Sequence, residues 1–152
     1  MDPFLRELTE LYARVDASYE GWSCSGTTEC CRFGITGRQP YVTAIEVSLL
    51  RHALAGAGGS GSILAPRRRA LPITPNRELE RICPLLSRDG RCSVYAARPL
   101  GCRTYYCARA RPGPGPARDS LHEHVRELQD LAARHQLGGE LARPLTRVLE
   151  GA

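Results

Sequence analysis

The placement of seven cysteines constrains this 152-residue chain more than any hydrophobic period does. Cys24, Cys30 and Cys31 form one group; Cys83, Cys92, Cys102 and Cys107 form a second, about 50 residues further on. Both groups lie in stretches broken by Gly and Pro, so the thiols sit on loops and the rest of the chain is scaffolding that brings the loops together. One or two buried Cys are ordinary core residues. Seven in a chain of this length are not, and an odd count in a reducing compartment argues against a disulfide framework. Thiolate is the soft ligand that holds zinc and anchors iron–sulfur clusters, so the expectation is a thiolate metal site.

The scaffold reads as helical and irregular. Length fits one domain over 1–152. Gly and Pro number 15 and 11 against an aromatic content of only 6%, so the core is modest and a metal staple would add to it. Residues 2–18 predict a helix, with Asp2 as cap, Pro3 at the first turn, and Phe4, Leu5, Leu8, Leu11, Tyr12 and Val15 on one face. Residues 43–54 predict a second, with Thr43 and Glu46 at capping-box spacing; residues 120–136 predict a third, with Ser120 and Glu123 repeating that spacing and Gly138 and Gly139 ending it. A short helix is expected over 140–149, with Leu141, Leu145, Val148 and Leu149 apolar. Residues 21–41 read as irregular and 55–62 as a flexible connector. Asp89-Gly90 marks a turn that would make a small hairpin carrying Cys83 toward Cys92. Pro99 breaks the chain before a short helix over 100–107, and 109–117 reads as a linker outside the core.

All 21 basic residues are Arg and the net charge is +5. The Arg-only pattern is what GC-rich coding produces, so basicity is weak support for nucleic acid. The Arg67–Arg69 triplet keeps that reading as a minor alternative, without the aromatic stacking platforms of a nucleic-acid module. No basic n-region followed by an apolar run opens the chain, and no stretch approaches the roughly 18 apolar residues of a membrane span. The expected setting is cytoplasmic, with no membrane partner and room for a protein partner.

Spacing refines the site. Neighbouring side chains diverge, so adjacent Cys30 and Cys31 are expected to feed different metals or to bridge. Cys83 and Cys92, and Cys102 and Cys107, are spaced more loosely than paired zinc-ribbon knuckles. Arg98 and Arg103 are candidates to donate guanidinium N–H groups to sulfur and offset the negative charge of a thiolate cage. His52, His122, His124 and His135 all fall on expected helices and read as ordinary helix-surface residues.

The pattern C-P-L-L-x5-C-S-V-Y-x2-R-P-x2-C-R-x-Y-x-C, from Cys83 to Cys107, resembles the second half of the YkgJ-type cysteine-cluster family, also called CxxCxxCC and described as zinc- or iron-chelating. The first half of that family reads C-x2-C-G-x-C-C. Here Cys24, Cys30 and Cys31 match it, Thr27 stands where a cysteine belongs and Thr28 replaces the Gly. The resemblance spans roughly residues 22–107 and leaves the terminal helices outside. It implies one thiol more than this chain carries. The vacant place falls to water, to the Thr27 oxygen, to a carboxylate such as Glu29, to a His, or to an open coordination position. A relative of the family occurs in flagellin lysine methylases, but no Gly-rich methyl-donor loop is present and methylation does not carry over.

Three functions follow in order. The first is a metal-binding protein holding zinc or an iron–sulfur cluster for a structural or regulatory purpose. The second is a metal- or cluster-dependent redox enzyme using the deficient half around Cys24, Thr27, Cys30 and Cys31. The third is nucleic-acid binding through Arg67–Arg69.

Overall fold

The computed structural model describes residues 2–24, 26, 29–56, 81–87, 89–107, 110–136 and 141–150. Thr27, Arg67–Arg69, the helix-ending Gly138 and Gly139, and most of the 55–62 connector therefore lie outside the described residues. The molecule is mainly helical: α1 (Pro3–Ser18), α2 (Phe33–Thr36), α3 (Ala44–Gly56), α4 (Leu100–Arg103), α5 (Arg118–His135) and α6 (Leu145–Glu150). Among the described residues the one sheet is a two-stranded antiparallel pair, β1 (Tyr41–Val42) with β2 (Arg143–Pro144). Among the described residues no helix is long and apolar enough to cross a membrane.

Helix α1 starts as its sequence dictates. Asp2 caps it by accepting from Phe4 N at 2.7 Å, and Pro3 occupies the first turn. Leu5, Leu8, Leu11, Tyr12 and Val15 form the buried stripe. It packs against α5, whose Leu128 and Leu131 are buried, and against α3. Full burial of a Leu such as Leu8 contributes about 2 kcal/mol. Two ion pairs cross the α1–α5 seam, Glu7 with Arg134 and Arg14 with Glu127; all four side chains are exposed, so the pairs orient the helices more than they stabilise them.

Several local expectations shift. Helix α5 begins at Arg118, so Ser120 lies inside it and Ala117 caps it without a side-chain hydrogen bond. The terminal helix starts at Leu145 because Arg143 and Pro144 are drawn into the sheet, with Tyr41 opposite Pro144 and Val42 opposite Arg143; Leu141 is left 89% exposed. Pro144 is tolerated because a two-stranded sheet consists only of edges. The Cys83–Cys92 hairpin reduces to a turn closed by one bridge, Leu86 with Cys92, with Gly90 at φ +78°. The helix expected over 100–107 is confined to α4, preceded by a 3-10 turn at Tyr95–Ala97. The segment 109–117 does join the core at one point: Ala110 is buried, and a Cβ placed on Gly115 would meet the Trp22 ring at 3.1 Å. His52 and His122 are exposed, as expected, whereas His124 and His135 are half-buried and their Nδ1 atoms make no hydrogen bond, His124 Nδ1 lying 4.0 Å from Glu127 Oε1; the His135 ring stands edge-on to Phe4 at 5.5 Å.

The junction of α1, α3 and α4 is polar at its centre. Glu46, 1% exposed, accepts four hydrogen bonds: Thr43 N (2.8 Å) and Thr43 Oγ1 (3.0 Å) to Oε2, Tyr12 Oη (2.9 Å) and Leu100 N (2.9 Å) to Oε1. The capping spacing of Thr43 and Glu46 is thus realised in its backward half, with the Thr hydroxyl also turned onto the carboxylate. Burial, and then the Glu46 charge beside it, hold the Tyr12 phenol well above its ordinary range, so it stays a donor. Replacing Glu46 with Ala leaves four donors on three residues unmatched. The expected loss is about 3–5 kcal/mol in urea unfolding, against about 1 kcal/mol for Tyr12→Phe. Equal losses for the two variants would show that the carboxylate is not the centre of the junction.

Candidate metal centre

Two chain segments are stitched together at the first and second cysteine groups. Cys83 N donates to Cys31 O at 2.7 Å, Arg32 bridges to Ile82, and Gly34 N donates to Arg81 O at 3.3 Å. The Leu86–Cys92 bridge then turns the chain back, with Ser93 N on Leu85 O at 2.9 Å. Cys102 lies in α4, whose start Glu46 holds through Leu100 N. Cys24 is exposed on its loop, where its sulfur accepts from Gly26 N at 3.4 Å. Cys83 is buried and Cys30, Cys31, Cys92, Cys102 and Cys107 are half-buried, with none of the seven in a disulfide.

Six of the sulfurs sense one another electrostatically. Cys31 is held far up, first by its hydrogen bond with Cys30, then by burial, then by the charges of Cys30, Cys83 and Cys92. Burial pushes Cys83 up to about 12, with Cys92 and Cys30 adding to it. Burial also raises Cys92, where Cys30 and Cys24 oppose ionisation and Arg98 favours it. Cys102 is raised by burial and by Cys83, Cys92, Cys30 and Glu46. Cys30 moves the other way, lowered to about 7 by the hydrogen bond from Cys31 and, more weakly, by Arg98. The Cys30–Cys31 pair therefore gives up a first proton early and a second late.

The vicinal pair departs from expectation. A 3-10 turn over Glu29–Cys31 replaces the extended backbone on which neighbouring side chains diverge, and the two sulfurs stand 3.9 Å apart. That is close to the edge of a tetrahedron of thiolates at the usual zinc–sulfur bond length, about 3.8 Å. Among the described residues, no three Cys, His, Asp or Glu side chains are grouped closely enough to hold one ion. The donor set and this one edge suit a thiophilic metal, and a complete coordination sphere requires the other loop thiols to close on the pair.

The two arginines act differently from the direct sulfur donors expected. Arg103 is 2% exposed; its Nε donates to Arg98 O at 2.9 Å, its terminal nitrogens donate to Asp16 and Ala96 O, and its guanidinium lies 4.0 Å from the Tyr12 ring centroid. Arg98 donates to Tyr95 O (3.0 Å) and to Asp16 (3.2 Å) while stacking on Tyr95. Arg103 is thus a clamp on the 96–98 turn, and Arg98 reaches the thiols by its field. Sequence reasoning missed Asp16 and Glu46; the capping-box spacing pointed to Glu46, but nothing local marked its partners on α1 and α4. Compared with known protein families, curated proteins and solved structures, the chain matches none.

The thiols should separate by reactivity. In metal-free protein, iodoacetamide at pH 7 should modify Cys30 well ahead of Cys83 and Cys102, with its rate climbing as the pH rises through about 7. Peptide mapping reads this directly, and equal labelling of Cys30 and Cys83 at pH 7 would contradict the geometry. Stability follows with the opposite sign. Cys83 is raised in the fold, so its contribution is intact below the ordinary thiol range and is lost as pH climbs from there toward about 12. Metal-free protein should accordingly weaken above about pH 9.

Proposed function

We propose that this protein binds a thiophilic metal, zinc or an iron–sulfur cluster, through Cys24, Cys30, Cys31, Cys83, Cys92, Cys102 and Cys107, for a structural or regulatory purpose. The observation that carries the reading is the Cys30–Cys31 pair, 3.9 Å apart on a turn tied to Cys83 by a 2.7 Å backbone hydrogen bond. The resemblance of Cys83–Cys107 to the zinc- or iron-chelating cysteine-cluster family supports it from the sequence side. So does the chemistry of burial. Thiols held protonated by desolvation become favourable ligands once a cation replaces the proton, so uptake releases protons and tightens with pH. The hydrogen-bonded loops fix the backbone, and the metal would fix the side chains.

A second reading is a metal-dependent redox enzyme. The observation favouring it is a cleft that reaches Cys30 and Cys102 from solvent, so that a reactant could approach sulfur or metal. Turnover with a redox dye that fails in a Cys30→Ser variant retaining its metal would select it.

Metal analysis of protein purified without oxygen decides the main reading. Stoichiometric zinc in colourless protein, or iron and sulfide in brown protein, is expected. Chelation should lower Tm by about 10 °C or more, because metal binding is coupled to folding. Double replacement of Cys30 and Cys31 by Ala should abolish retention. Protein that purifies with neither metal, and whose Tm ignores chelators and added zinc, would overturn the proposal.

A further inference from the structure

A cleft of about 220 Å³ opens between the segment leading into β1 and helix α4. Its floor carries Cys30 and Cys102, and its walls are Pro40, Tyr41, Tyr105 and Arg38. The opposing walls are held close: a Cβ on Gly101 of α4 would come within 3.2 Å of Pro40 Cβ. Leu145 N fixes Pro40 O at 3.0 Å from the other side.

The wall chemistry is specific. Tyr41 is 62% exposed, a large ring area left in water at the rim. The Arg38 guanidinium lies 4.9 Å from the Tyr105 ring centroid and, unlike Arg98 and Arg103, has no carboxylate partner among the described residues. A planar cation stacked on an aromatic ring is already ordered to donate in a fork to a carboxylate. Beside it, the Gln39 carboxamide is oriented by Thr146 Oγ1, which donates to Gln39 Oε1 at 2.7 Å. The floor is sulfur, soft and electron-rich, and disfavours a ligand bearing negative charge at its inner end.

We propose that this cleft binds a small organic monocarboxylate, with its carboxylate on Arg38 at the rim and its apolar body lying between Pro40, Tyr41 and Tyr105 against the sulfur floor. One charged end and one apolar end match a site with one cation outside and apolar walls within. The volume limits the body to about the size of a single ring, below the usual range of drug-sized pockets. The floor rests on the function proposed above, because Cys30 and Cys102 are among the proposed ligands. Arg38, Tyr41 and Tyr105 are not, so an unaffected Arg38→Gln variant counts against this site and not against metal binding.

Titration of the protein as purified, followed by amide and ring resonances or by calorimetry, tests this with benzoate, benzyl alcohol and inorganic phosphate. Benzoate should saturate and perturb Tyr41 and Tyr105, while the neutral and dianionic probes bind at least about tenfold more weakly. Arg38→Gln should weaken benzoate about tenfold or more, and Arg38→Lys by less, because Lys keeps the charge without the fork. Arg118→Gln, at an exposed position at the start of α5, should change nothing. Benzyl alcohol or phosphate binding as tightly as benzoate, an unaffected Arg38→Gln variant, or no saturation below about 10 mM would each overturn the proposal.

Discussion

The Glu46 carboxylate is the constraint on which the arrangement of helices rests. A carboxylate taken out of water carries a penalty of several kcal/mol, and only a complete set of donors offsets it. Here the donors come from three places: Thr43 at the head of its own helix, Tyr12 on α1 and Leu100 N at the head of α4. None of these can move without leaving a buried charge short of a partner. The bond to Leu100 N matters most for the site, because Cys102 follows within the same short helix. A helix of one turn has little stability of its own. It is held because its first free N–H is bound by a buried charge and because Arg103, at its other end, is clamped onto Asp16 and the 96–98 turn.

Around that junction, the loops obtain their shape from backbone hydrogen bonds more than from regular structure. The Cys31–Cys83 bond and the Arg32–Ile82 and Leu86–Cys92 bridges are single ties, each joining positions far apart in sequence or closing a tight turn. Such ties fix where the backbone of the two cysteine groups lies.

Helices α1 and α3 were legible because a 3.6-residue apolar stripe, Asp2-Pro3 and the Thr43–Glu46 spacing all point the same way within a short window. The mainly helical class followed from them. What stayed hidden depends on partners distant in sequence. Arg143–Pro144 becomes strand only because Tyr41–Val42 is beside it, and Ala110 is buried with Gly115 against Trp22 although Pro and Gly crowd the segment. Arg98 and Arg103 were picked out from the cysteine pattern as donors to sulfur, but their partners are Asp16, backbone carbonyls and rings. A carboxylate on α1 that meets two guanidiniums from residues 98 and 103 leaves no mark in either local pattern. Cys30 and Cys31 were expected to diverge because the rule for neighbours assumes extended backbone, and the 3-10 turn removes that assumption.

The charges set by these contacts make the thiol site asymmetric. Asp16 pairs with both Arg98 and Arg103, so one net positive charge remains on that flank. Arg98 carries it toward Cys30 and Cys92, where it favours thiolate. The buried Glu46 charge acts on Cys102 and opposes its ionisation. A thiophilic cation arriving at this site would meet its first thiolate at the Cys30 side, where the vicinal sulfurs already span a tetrahedral edge. It would then recruit Cys83, Cys92 and Cys102 against a rising desolvation barrier that only its own charge can offset. If the thiols hold a metal as proposed, the arrangement that orders the helices would also make the pair at the turn the entry point and the buried thiols the closing ones.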